Sequence, residues 1–175
     1  MKFYIADCFA EAKYQGNQLA VLIPDRPVDD GEMQRIAIET GFSETAFIMS
    51  GRRNNGGYDV RIFTTSCEVP FAGHPTLGTA YVIREILESG RPSKVILNLK
   101  AGQIPVEFTP DGRGIMTQNQ PVFGDRRSLS YTVSQGSEMG RPSRLYVDAA
   151  YDPVSGHYST QVGGRVFMVA EGEWR

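Results

Sequence analysis

The chain opens on a loosely alternating stretch, Lys2–Cys8, that reads as a strand, and a second β-prone run, Asn17–Ile23, follows a polar loop and stops at Pro24. Asp29 and Asp30 then precede a segment with Met33, Ile36, Ala37 and Thr40 on one face and Gly41 just beyond. Acidic residues at the start and a glycine after the end predict a short amphipathic helix over Asp30–Thr40. Residues 45–49 and 58–64 read as two strands of a hairpin, joined by an Arg-, Asn- and Gly-rich turn. Residues 76–87 carry the longest helical pattern and are apolar nearly all round, which predicts a buried helix. Strands are predicted at 94–98, 103–108 and Gly114–Gln118. Beyond Gly124 the pattern changes. Residues 125–137 are polar and aperiodic, and strand-like runs resume at 144–150 and 162–170.

Strands surrounding one apolar helix predict an α+β fold, a barrel-like antiparallel sheet wrapped around a central helix. The change near Gly124 divides the chain into 1–124 and 125–175. There are 175 residues, with 41% hydrophobic, 22% charged and a net charge of -2, so a folded core is expected and disordered or fibrous classes are excluded. Basic residues are scattered, and the pairs Arg52–Arg53 and Arg126–Arg127 extend into no patch, which argues against nucleic acid or an anionic membrane as partner. No apolar run reaches membrane-spanning length. The two cysteines, Cys8 and Cys67, and an N-terminal stretch lacking a signal-like apolar region point to a reducing, cytoplasmic setting with both thiols free. Cys8 reads as a small buried hydrophobe and Cys67 as an inert loop residue, although a helix N-terminus nearby could activate it.

The candidate chemistry lies in a few segments. In Phe71-Ala72-Gly73-His74-Pro75-Thr76-Leu77-Gly78, Gly73 frees the backbone before the buried helix and Pro75 suits a first helical position. The helix N-terminus would offer N–H groups and the positive end of a dipole to a carboxylate. His74 at that mouth is either a donor and proton carrier or merely a helix cap. Glu44 stands where the first helix has ended and a strand begins. It is a general base if burial raises its pKa, and otherwise a solvated strand-end carboxylate. Asn17 could donate to a ligand or satisfy its own turn. Only two histidines occur, no Cys-x-x-Cys or His-Glu-x-x-His pattern is present, and neither a nucleophile elbow nor a phosphate loop is found. These readings leave proton chemistry without metal or cofactor, or plain binding.

In order and spacing these segments resemble the phenazine-biosynthesis isomerase (PhzF-like) family: Gly16-Asn17-Gln18-Leu19-Ala20-Val21, Phe42-Ser43-Glu44-Thr45-Ala46-Phe47, Arg61-Ile62-Phe63-Thr64, the run Glu68 to Gly78, and Met116-Thr117-Gln118 with Pro121 and Phe123-Gly124. The resemblance implies a diaminopimelate epimerase-like fold of two pseudo-symmetric halves with the site between them. It implies Glu44 as general acid/base, Gly73 and His74 as substrate-binding residues lining the cleft, no cofactor, and a homodimer. The activity it implies is isomerisation of a small carboxylated metabolite such as trans-2,3-dihydro-3-hydroxyanthranilate. Ala72 stands where related epimerases carry a catalytic cysteine, which argues against two-cysteine epimerisation. Ser134 to Ser143 and Val162 to Gly172 resemble the last part of the family, so one full half is joined to a C-terminal tail of strands. The second half's central helix and its Asp-Pro-x-Thr-Gly-Ser segment are missing, and Gln18 replaces a proline. The expected function is therefore a cofactor-independent isomerase whose catalytic apparatus, lacking that half, is incomplete as a monomer. The alternative is a non-catalytic small-carboxylate-binding or assembly protein derived from this family.

Overall fold

A computed structural model of the protein describes residues 1–118 and 128–174. The boundary near Gly124, the motif residues Pro121 and Phe123, and the pair Arg126–Arg127 lie outside the described residues. Among the described residues twelve strands form one curled sheet: β1 (Lys2–Cys8), β2 (Asn17–Ile23), β3 (Glu44–Ile48), β4 (Gly57–Thr64), β5 (Glu68–Val69), β6 (Lys94–Leu99), β7 (Gly102–Phe108), β8 (Gly114–Gln118), β9 (Ser128–Gln135), β10 (Ser143–Asp152), β11 (His157–Gly164) and β12 (Val166–Glu173). Their order is β12-β1-β2-β3-β4-β6-β7-β8-β11-β10-β9, with β5 added onto β4. All pairings are antiparallel except β2 with β3 and β4 with β6. Those two parallel joins require crossovers. Helix α1 (Asp30–Thr40) makes the first and α2 (Gly73–Val82) the second.

The two helices lie on different sides of the sheet. Asp29 caps α1, its Oδ1 accepting the Glu32 N–H at 2.8 Å, and Gly41 closes the helix at φ 68°, in the left-handed region that favours glycine. Met33, Ile36 and Ala37 of α1 pack on Leu22, Phe47 and Phe63, whose two rings meet edge to face at 5.6 Å. Helix α2 is wrapped by the sheet and packs against β1, β2, β3, β6, β7, β8 and β12. Leu77, Ala80, Val82 and Ile83 sit there among Leu19, Val21, Leu97, Val106 and Met116. Gly78 permits that close approach, because a Cβ there would collide with Sγ of Cys8 and Cδ2 of Leu19.

The strands and helices predicted for residues 2–118 are all present, with shifts of one or two residues at most ends. Helix α2 begins earlier than expected, at Gly73, with Ala72 as N-cap; Pro75 is thus the third helical residue rather than the first. Its last turn widens into a π-helical segment over Ile83–Leu87, with Glu88 N–H donating to the Ile83 carbonyl. Two expectations for the later chain are corrected. Residues 125–137 include strand β9, which pairs along its whole length with β10. The run 162–170 is not one strand: β11 ends at Gly164 and β12 starts at Val166, so the chain changes sheet partners from β8 and β10 to β1 at Arg165.

Candidate active site

Glu44 begins β3, directly beyond the α1 cap, and His74 is the second residue of α2. The parallel join through α1 and the wrapped helix bring them together: Oε2 of Glu44 lies 3.3 Å from Nε2 of His74, with side chains 19% and 10% exposed. Both atoms are buried, and neither finds a partner in hydrogen-bond geometry among the described residues. Burial raises the Glu44 carboxyl above its ordinary 4.5. Burial also lowers His74 from 6.5 to about 4, a hydrogen bond with the Gln18 backbone working the other way. A neutral imidazole brings no positive charge to hold the proton off Glu44. Hence the pair, at neutral pH, is a desolvated carboxyl group facing an uncharged ring that can accept or donate a proton.

The helix-cap alternative for His74 does not hold, since the N-cap is Ala72 and no side chain caps α2. The first N–H groups of a helix have no partner within it, and Pro75 has none to offer, so Gly73 and His74 carry the donors at this end. Asn17 opens β2 opposite Cys8, half-buried. A cleft of about 430 Å³ adjoins this corner. One wall is Gly16, Asn17, Gln18, Gly41, Phe42 and Ser43, and Gln135 to Ser143 form the other. Glu44 and His74 are not part of this lining, but Glu44 follows Ser43 in the chain and His74 bonds the Gln18 backbone. Cys67 is exposed and Cys8 buried, its thiol pushed up by burial, and both are free. Among the described residues no three His, Cys, Asp or Glu side chains cluster to hold a metal, and no helix is long and apolar enough to cross a membrane.

Sequence reasoning missed what builds the second wall. Arg141 donates from Nη2 to Oδ1 of Asp7 at 2.6 Å and to the Gln15 carbonyl at 2.9 Å, and from Nε to the Gly16 carbonyl at 3.0 Å. The Gly16 N–H donates to the Pro142 carbonyl at 3.0 Å. Asp7 is 2% exposed, and its second oxygen accepts the Tyr14 N–H. The turn at Ser137–Met139 is thus strapped to the loop before β2. The available signal was Asp7, the one charge in the buried half of strand β1, whose other charge, Lys2, stands at the exposed start.

Titration of His74 gives a direct check. Between about 4 and 6.5 the unfolded chain binds a proton that the folded imidazole refuses, so this group lowers stability as pH falls through that window. NMR is expected to find the ring neutral down to about pH 4, and His74→Gln is expected to flatten that part of the stability profile.

The fold and this pair define a class: an α+β protein of the diaminopimelate epimerase-like type with a carboxyl–imidazole couple at the mouth of its wrapped helix. The chain belongs to the phenazine biosynthesis-like (PhzC-PhzF) family, whose profile matches residues 6–130. It is 35% identical over 122 residues to trans-2,3-dihydro-3-hydroxyanthranilate isomerase of Pseudomonas chlororaphis, a match covering 69% of this chain and 42% of that protein. Across eight curated relatives the matched stretch covers only 30% to 43% of their own length. In fold it is similar to the Bacillus anthracis phenazine biosynthesis protein of the PhzF family, with a TM-score of 0.85, 17% identity and coverage of 100% of this chain and 99% of that one. A hydroxyproline epimerase from Agrobacterium vitis shares the fold at a TM-score of 0.52 and 11% identity, over 90% of this chain and 50% of its own.

Proposed function

We propose that the protein is a cofactor-independent isomerase that moves a proton between carbons of a small carboxylated substrate. Glu44 takes the proton as its C–H bond breaks. The electron pair is delocalised into the substrate's own unsaturated system, and the same carboxyl returns a proton at another carbon, so no oxidant or reductant is needed. Gly73 and His74 hold the substrate with the N–H groups of the helix end, and Asn17 reaches it from the cleft wall. The observation that carries this reading is the approach of Glu44 and His74 to 3.3 Å with both side chains shielded from water, which raises the carboxyl towards the range in which a general base works at neutral pH. The name borne by the Pseudomonas chlororaphis relative supports the reaction class. The proposal includes a homodimer in the cytoplasm and a division at Gly124, with the chemistry on residues 1–124 and a remnant of a second half on 125–175.

The test is incubation with trans-2,3-dihydro-3-hydroxyanthranilate in deuterated water. Product carrying solvent deuterium at carbon is expected, and the absence of both turnover and exchange overturns the reading for this substrate.

A second reading, a non-catalytic carboxylate-binding protein, draws on the thinness of the second wall, where Met139 is 78% exposed. It predicts that Glu44→Gln leaves binding of a small carboxylate such as benzoate unchanged while no exchange occurs in either form.

A further inference from the structure

The loop between β1 and β2 is held in an unfavourable shape. Three described residues other than glycine adopt positive φ, and two of them, Phe9 at 55° and Tyr14 at 69°, lie in this loop. Gly16 closes it at φ 67°, where a Cβ would collide with the Cys8 carbonyl. Such conformations cost free energy and persist where the surroundings over-determine them. Here the restraint comes from residues 141–144, far along the chain. The Arg144 N–H donates to the Phe9 carbonyl at 2.8 Å. Gly16 is gripped from both sides, its N–H by the Pro142 carbonyl and its own carbonyl by Nε of Arg141. Asp7 accepts the Tyr14 N–H on one oxygen and Nη2 of Arg141 on the other.

Asn17 and Gln18 come next in the chain, and Gln18 lies directly opposite Asp7 in the pairing of β1 with β2. The Gln18 backbone bonds the His74 ring. Nε2 of that ring faces Glu44 without a partner in hydrogen-bond geometry, so the nitrogen that donates to the Gln18 carbonyl is Nδ1. A neutral imidazole with its proton on Nδ1 has a bare lone pair on Nε2, and that lone pair is what Oε2 of Glu44 meets. The place of the Gln18 carbonyl thereby selects the tautomer of His74.

We propose that Arg141 is a positioning residue for the Glu44–His74 pair: by pinning Asp7 and the Gln15 and Gly16 carbonyls at once it sets Gln18, and through Gln18 the tautomer of His74. Arg141 does this without bonding either member of the pair. Its role in turnover rests on the proposed reaction, whereas its hold on the ring does not. The planar fork of an arginine reaches one carboxylate and two carbonyls from Nε and Nη2, and a lysine ammonium is a single point on a flexible stem.

The test is nitrogen-15 NMR of the His74 ring at neutral pH, which reads the tautomer with no substrate present; the exposed His157 serves as reference. The wild type is expected to hold its proton on Nδ1. Removing the guanidinium alone would leave Asp7 buried and unpaired, so both charges are removed together. Asp7→Asn with Arg141→Gln is expected to fold and to lose the Nδ1 preference. With trans-2,3-dihydro-3-hydroxyanthranilate its kcat is expected to fall by about 10²-fold, the cost of a displacement of about 1 Å, with a smaller change in KM. Arg141→Lys keeps a charge for Asp7 but not the fork. It is expected to weaken the preference in the same direction, and it decides the matter if the double variant does not fold. Tyr146→Phe removes a different bond of the same tail, to Glu11 at 3.2 Å, and is expected to leave the ring as in the wild type. The proposal is overturned by a wild-type ring without the Nδ1 proton, by an unchanged tautomer in the folded strap variant, or by an equal shift in Tyr146→Phe. A shifted tautomer in a protein whose wild type shows no turnover overturns the reaction and upholds the hold of Arg141 on the ring.

Discussion

Glu44→Gln is expected to lower turnover by about 10²–10⁴-fold, the usual weight of a positioned general acid/base. The amide keeps the volume and loses the proton-carrying function, so the loss belongs in kcat. Folding stability is expected to hold or rise, because a shielded carboxylate with no hydrogen-bonded partner on its inner oxygen is costly to keep charged. The same burial fixes the pH behaviour. With the Glu44 pKa raised above 4.5, activity is expected to climb with pH along a limb set by that carboxyl. His74 titrates lower, at about 4, and contributes no limb near neutrality. The measurement is kcat/KM against pH for the wild type and His74→Gln. A limb that vanishes in the His74 variant instead of persisting would assign the base to the imidazole.

The largest expected loss of stability lies in the wrapped helix. Leu77 is fully buried in the middle of α2, and its Cδ1 occupies the space where Gly114 lacks a Cβ. Leu77→Ala removes packing on the central helix and leaves a cavity that β-strands on several sides cannot close together. A cost of about 2–5 kcal/mol is expected, read as a lower denaturation midpoint with an unchanged slope. Gly78→Ala strains the same helix by the opposite route, pressing a methyl against Cys8 and Leu19, with about 1–3 kcal/mol expected. The two effects separate a core that is too empty from one that is too full.

The first 118 residues were legible because each element carried its own period and punctuation: Asp29 and Gly41 bracket α1, Pro24 ends β2, and the apolar girth of α2 declares burial. Strand β9 was not legible. Its side chains are mostly solvent-facing, and it is a strand because β10 supplies its hydrogen bonds, a partner some ten residues further on. The break at Arg165 was hidden because Val162 and Val166 are both apolar and both buried, although they serve different parts of the sheet. At the site, Glu44 and His74 could be named from motif and position, but their approach is a product of two crossovers that no local pattern encodes. The Asp7–Arg141 strap joins positions 134 residues apart and left only the oddity of Asp7 as a trace.

Strand β1 is flanked by β2 on one side and β12 on the other, and the amine of Met1 and the N–H of Trp174 bond each other's carbonyls. During synthesis, then, β1 waits for a partner strand that is made far later along the chain. A nascent chain can assemble β2 to β8 around α2 while one flank of β1 stays bare, and only the arrival of residues 166–173 covers it. Contacts of such sequence separation form slowly, so there is a vulnerable interval between the emergence of the core and the docking of β12, when an unpaired flank of β1 is open to whatever binds it first.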